Sequence, residues 1–138
     1  SSFVPFSTLT LGGKNYKELQ EAKPEKYSKL TEDFVLERTR YIGYDIINGK
    51  GSTEFGIGAA CADICKAIFH DEKRVIPASV LLEGEYDIDG VACGVPCVIG
   101  RNGIEDIIEL ELNDKEKEQM AHTCSVIKDY CERAEKVK

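Results

Sequence analysis

Apolar positions change their spacing along this chain, and the changes divide it into helices and strands. From Phe34 to Ile47, apolar or aromatic residues recur at 34, 35, 41, 42, 44, 46 and 47, which predicts an amphipathic helix. Thr31 is its candidate N-cap, and Glu32 and Asp33 suit the positive end of the helix dipole. Asn48-Gly49 is the expected stop, with Arg38 and Arg40 on the wetter side. A second helix is expected over 54–69. Ala59, Ala60, Cys61, Ala62, Ile64, Cys65, Ala67 and Ile68 cover most of its circumference, and only Asp63 and Lys66 mark a polar strip. That pattern suits a central buried helix packed closely on a neighbour.

After the charged connection 70–74 the period shortens. Strands are predicted over 75–83, 91–100 and 104–112. A loop of turn-forming residues, 84–90, joins the first two, and Arg101-Asn102-Gly103 joins the next pair, its Asn-Gly favouring positive φ. Such short connections imply an antiparallel meander. Asn113 followed by Glu116 has the form of a capping box. Beyond it Met120, Cys124, Ile127, Cys131 and Ala134 form one narrow apolar stripe, so this last helix should lie outside with one face on the sheet. Towards the start, 3–11 reads as a short extended segment that Pro5 keeps out of a sheet centre, broken by Gly12-Gly13. Residues 14–30 read as a short helix or loop. The fold class is therefore α+β: an antiparallel sheet, with a three-strand meander near 75–112, packed by long helices.

Length and charge narrow the possibilities. The 138 residues suit one domain, 1–138. A net charge of −7 disfavours nucleic acid and anionic membranes as partners. No apolar run approaches the ~20 residues of a membrane span. No charged-then-apolar leader is present, so no secretory signal is expected in this chain. It starts Ser1-Ser2 without an initiator methionine, and the only methionine is Met120, so a part of a larger protein is expected. Of the six cysteines, Cys61/Cys65 and Cys124/Cys131 repeat at helical spacing, and Cys93/Cys97 share one face of a strand. Each sits among apolar residues, which reads as reduced, structural thiols in a cytosolic compartment. No Cys-x2-Cys pair or cysteine beside histidine suggests zinc.

Candidate chemistry concentrates at Gly49-Lys50-Gly51-Ser52-Thr53-Glu54-Phe55-Gly56-Ile57-Gly58, where four glycines surround one threonine between two helices. Glycine lets another group approach the backbone closely, as a ligand floor needs. Gly56-Ile57-Gly58 is a weak dinucleotide signal, because no hydrophobic strand precedes it and the third glycine is missing. No Ser/His/Asp or Cys/His set is visible. His70 in a charged turn and His122 on a charged helix read as surface residues.

These blocks also resemble a known family. Ser1-Ser2-Phe3-Val4-Pro5-Phe6-Ser7, Ile46-Ile47-Asn48-Gly49-Lys50-Gly51-Ser52-Thr53, Gly56-Ile57-Gly58, Asp71-Glu72-Lys73-Arg74-Val75-Ile76-Pro77, Gly84-Glu85-Tyr86, Gly94-Val95-Pro96, Gly100-Arg101-Asn102-Gly103-Ile104 and Ile107-Ile108-Glu109-Leu110 occur in order with plausible spacing. Together they resemble the C-terminal, substrate-binding domain of NAD-dependent L-lactate dehydrogenases, within the lactate/malate dehydrogenase family.

The resemblance implies roles. Thr53 matches the threonine that contacts substrate and closes the pocket around its small side chain; the plainer reading is that it caps the following helix. Ile57 matches an apolar residue against the nicotinamide ring, where an apolar floor favours the neutral reduced form over the charged oxidised one; the plainer reading is core packing. Tyr44 matches a tyrosine phosphorylated in some members. The implied cofactor is NAD, bound mainly by a Rossmann domain that this sequence lacks. The implied partners are a small 2-keto or 2-hydroxy acid, that Rossmann domain and further copies in a homotetramer. The family's acid/base histidine should come just before Ser1, in a Gly-Glu-His-Gly-Asp motif. Neither that histidine nor the substrate-clamping arginines can be assigned here, so the isolated chain is expected to be inactive. It should also expose an apolar surface around Ile57. A malate or other 2-hydroxyacid dehydrogenase is the nearest alternative, and a non-catalytic binding or assembly module is another.

Overall fold

The three expected strands form one antiparallel sheet in the order β3-β4-β5. The computed structural model describes residues 2–136. β3 runs Arg74–Glu83, β4 Asp89–Gly100 and β5 Gly103–Ile107. Alternation decides which side is core. Val91, Cys93, Val95, Cys97 and Ile99 all point to one face of β4 and are buried. The register places Leu82 opposite Val91 and Val80 opposite Cys93, so the inward face of β3 joins the same layer. The opposite face stays wet, with Val75 and Leu81 exposed.

Helix α5, Asp114–Glu135, covers that inner face. Met120 and Cys124 complete a cluster with Leu82, Val91, Cys93, Val95 and Leu112. Its start is the expected capping box: the Asn113 side chain accepts from the Glu116 amide at 3.0 Å, and the Glu116 carboxylate accepts from the Asn113 amide at 3.1 Å. The apolar stripe fades along the helix. Ile127 is half-buried, whereas Cys131 and Ala134 are exposed because the last turns run past the sheet.

Two long helices precede the sheet. α3 spans Glu32–Lys50, with Thr31 as its N-cap accepting from the Phe34 amide. It continues past Asn48-Gly49 and stops at Gly51, whose φ of 86° is left-handed and whose amide donates back to the Ile47 carbonyl at 2.7 Å. α4 spans Phe55–Phe69. Its predicted burial does not occur within this chain. Ala67 alone is buried there, while Cys61 and Cys65 are exposed, because no element among the described residues covers the rest of its apolar surface. α3 likewise has no buried residue.

Near the start, the expected extended segment is instead a 3₁₀ turn, Phe6–Thr8, followed by a two-residue strand β1, Thr10–Leu11. β1 pairs with β2, Lys14–Asn15, across Gly12-Gly13, and short helices α1, Tyr16–Ala22, and α2, Pro24–Tyr27, follow. Buried Tyr16 joins this region, its ring edge-on to Phe6 at 5.9 Å and to Tyr27 at 5.7 Å.

The third strand ends at Ile107 rather than 112. The Tyr86 hydroxyl donates to the Ile108 carbonyl and accepts from the Leu110 amide, so a side chain replaces the strand partner. Tyr86 and Asp87 hold positive φ in the 84–88 loop. In the next turn only Gly103 does, at 89°, and not Asn102. A Cβ at Gly100 would lie 2.6 Å from Glu105 Oε1 and 2.9 Å from Asp71 Oδ1, so a side chain there would displace these carboxylate ends. Asp71 accepts from the Arg101 amide at 2.9 Å, which holds its carboxyl below the usual range despite some desolvation.

Candidate functional site

The glycine-rich stretch is the break between α3 and α4. Gly51 reverses the chain, and Ser52 and Thr53 follow before α4 begins. Glu54 occupies the N-cap position of α4 but makes no side-chain capping bond. Its carboxylate turns back instead. It accepts from the Ser52 hydroxyl at 2.7 Å and lies 3.9 Å from the Lys50 ammonium. That ammonium sits 4.5 Å from the centre of the Phe55 ring. The first amides of α4 thus carry no side-chain cap, and the partial positive charge of a helix start faces outward.

Thr53 does not cap the helix. It is exposed, and its hydroxyl has no hydrogen-bond partner among the described residues. Ile57, on the first turn of α4, is not core either: it is 65% exposed. Cβ atoms built at Gly56 and Gly58 would meet nothing within 4 Å, so approach to this face is open. The structure therefore brings Thr53 and Ile57 to one helix start and leaves both uncovered. Tyr44, on α3, is 62% exposed, with its ring 6.3 Å from that of Tyr41.

Such a corner can offer one hydroxyl, one apolar floor and a helix start. Its titratable side chains, Lys50 and Glu54, face each other at 3.9 Å, and no histidine lies there among the described residues. His70 lies at the far end of α4, about 22 Å along the helix axis, and His122 lies on α5; both are exposed. Among the described residues no group of three or more His, Cys, Asp or Glu is placed to hold a metal ion.

Two concavities lie elsewhere. One of about 710 Å³ runs between α5 and the 84–88 and 109–112 segments, and one of about 260 Å³ adjoins Phe3, Pro5, Pro77 and Pro96. Neither is lined by Thr53 or Ile57. The Thr53–Ile57 corner is a wall without its opposite side.

Sequence reasoning gave Glu116 only a capping role. In the structure it also binds Ser7. The two are 109 positions apart, so no local pattern signals the pairing.

The chain is α+β, with a meander, a buried sheet face and an open helix-to-helix corner. The chain belongs to the lactate/malate dehydrogenase, alpha/beta C-terminal domain family, whose pattern matches residues 3–138. It is 40% identical over 127 residues to an L-lactate dehydrogenase of Fusobacterium nucleatum, covering 92% of this chain and 40% of that protein. The fold superposes on the minor L-lactate dehydrogenase of Enterococcus mundtii with a TM-score of 0.82 at 32% identity, over 92% of this chain and 40% of that one. It also superposes on the malate dehydrogenase of Salinibacter ruber, with a TM-score of 0.77 at 30% identity, over 93% and 40%. The chain thus spans about 40% of the length of the curated relative cited here.

Proposed function

We propose that this chain is the substrate-facing half of an NAD-dependent L-lactate dehydrogenase, which interconverts pyruvate and L-lactate. The observation that carries the reading is the pair Thr53 and Ile57. They are exposed together at the α4 start, on a chain whose relatives include L-lactate dehydrogenases. Thr53 takes the substrate side. Its hydroxyl is free to bond, and its methyl occupies volume that a bulkier 2-keto acid would need. Ile57 takes the cofactor side. Its apolar, open surface fits one face of a nicotinamide ring, and an apolar floor favours the neutral reduced ring. NAD supplies and accepts the hydride when bound. The residues here fit that one face only, so a Rossmann half would hold the remainder of the cofactor and contribute the histidine and arginines. Free thiols at all six cysteines favour a cytosolic setting, and homo-oligomers are expected.

A malate dehydrogenase is the second reading, favoured by the superposition on the Salinibacter ruber enzyme. Side-chain volume at position 53 gives the test of the site. In the complete gene product, Thr53→Gly should raise kcat/KM for a branched 2-keto acid relative to pyruvate by roughly tenfold or more, the scale of one or two methylene-sized contacts. An unchanged substrate profile would remove Thr53 from the pocket wall.

A further inference from the structure

Ser7 is held by every polar group it has. Its amide donates to Glu116 Oε1 at 2.8 Å, its hydroxyl donates to Glu116 Oε2, and its carbonyl accepts from Asn15 Nδ2 at 2.8 Å. Glu116 is 3% exposed, the one buried acidic or basic side chain among the described residues. A capping-box glutamate needs one oxygen and normally keeps the other in water. Here Oε2 serves both the cap and the Ser7 hydroxyl, while Oε1 is given to the Ser7 amide. Burying a carboxylate is unfavourable unless its lone pairs are filled, so this burial is explained by the Ser7 contacts and not by capping.

The strap 2–8 is fastened at its other end too. Arg40 of α3 donates from Nε to the Ser2 hydroxyl at 2.9 Å and from Nη2 to the Ser2 carbonyl at 3.0 Å. α3 buries none of its residues, so this polar tie and the Lys115–Glu32 ion pair at 3.0 Å bear on its placement. α3 ends at the turn that carries Thr53.

We propose that Glu116 is a positioning residue: it fixes the strap 2–8 against α5, and through the Ser2–Arg40 tie the strap holds α3 and the Thr53 turn at its end in place. The proposal rests on the dehydrogenase reading, in which Thr53 faces the substrate. Misplacement of a reacting group by about 1 Å costs on the order of a hundredfold in rate, so a loosened strap has a kinetic consequence.

The test uses the complete gene product. Glu116→Gln leaves one oxygen for two backbone donors, so its NH2 must face either the Ser7 amide or the Asn113 amide, donor against donor. We expect kcat for pyruvate reduction to fall about tenfold or more while KM for NADH stays unchanged. Ser7→Ala should lower kcat in the same way, and the double variant should lose little beyond Glu116→Gln. Asn113→Ala removes the side-chain cap on the Glu116 amide and leaves the Ser7 bonds, so its kcat should stay near that of the parent. A folded Glu116→Gln protein with parental kcat overturns the proposal. If that variant fails to fold, Ser7→Ala decides it by the same criterion. If the parent itself does not reduce pyruvate, the dehydrogenase reading fails, and hydrogen exchange judges the anchor separately. Faster exchange of the Ser7 amide in Glu116→Gln supports the anchor, and unchanged exchange refutes it.

Discussion

Glu116 is at once the capping-box acceptor of α5 and the anchor of Ser7. Thr31 and Asn113 act as caps because their partners lie three positions on. The second role of Glu116 needed the fold. Its ionisation gives a test in the chain alone. Burial pushes the Glu116 carboxyl up, but the bonds from the Ser7 hydroxyl, the Ser7 amide and the Asn113 amide outweigh it, so the pKa lies below the usual 4.5. A lowered folded value means that the group stabilises the fold above about 4.5, and that this contribution is lost as pH falls through the lowered value. Unfolding by urea at stepped pH from 7 to 3 should show a steeper acid loss for the parent than for Glu116→Gln. Asp71 and Glu105 are also lowered and steepen both curves alike. Equal acid slopes would contradict the account. Leu82 tests the core in the same way: it is fully buried in the sheet–α5 cluster, and Leu82→Ala should cost roughly 2–5 kcal/mol by equilibrium unfolding.

Elements were legible where periodicity was strong, and their ends were not. The β3–β4–β5 meander and the three long helices follow from alternation and 3.6-residue spacing. α3 overran Asn48-Gly49 because the left-handed position falls at Gly51. β5 stopped early because the Tyr86 hydroxyl took the Ile108 carbonyl and the Leu110 amide, leaving only the Ile108 amide bonded to β4, at the Pro96 carbonyl. The clearest mismatch is α4. Its apolar circumference implied burial, yet Phe55, Ile57 and Phe69 are exposed. Burial is a property of an element and its cover, and only the first is written in this sequence. Gly51 is testable at this scale. With φ at 86°, Gly51→Ala should lower stability by about 1 kcal/mol and disturb the Thr53 turn. A loss within error of zero would mean that the turn tolerates a side chain there.

At the scale of the whole molecule, the buried mass is the sheet with α5, and the candidate site lies on the uncovered α3–α4 side. An exposed apolar surface of this kind promotes association. The isolated chain should therefore elute from size exclusion in a concentration-dependent way, and a strictly monomeric profile across a wide concentration range would argue against a missing cover. It should also show no turnover of pyruvate with NADH, because neither exposed histidine lies at the Thr53 corner. The most direct measurement is steady-state oxidation of NADH by the complete gene product, with pyruvate and oxaloacetate compared side by side. The account predicts turnover with a clear preference for pyruvate. A preference for oxaloacetate, or turnover of neither, would contradict it.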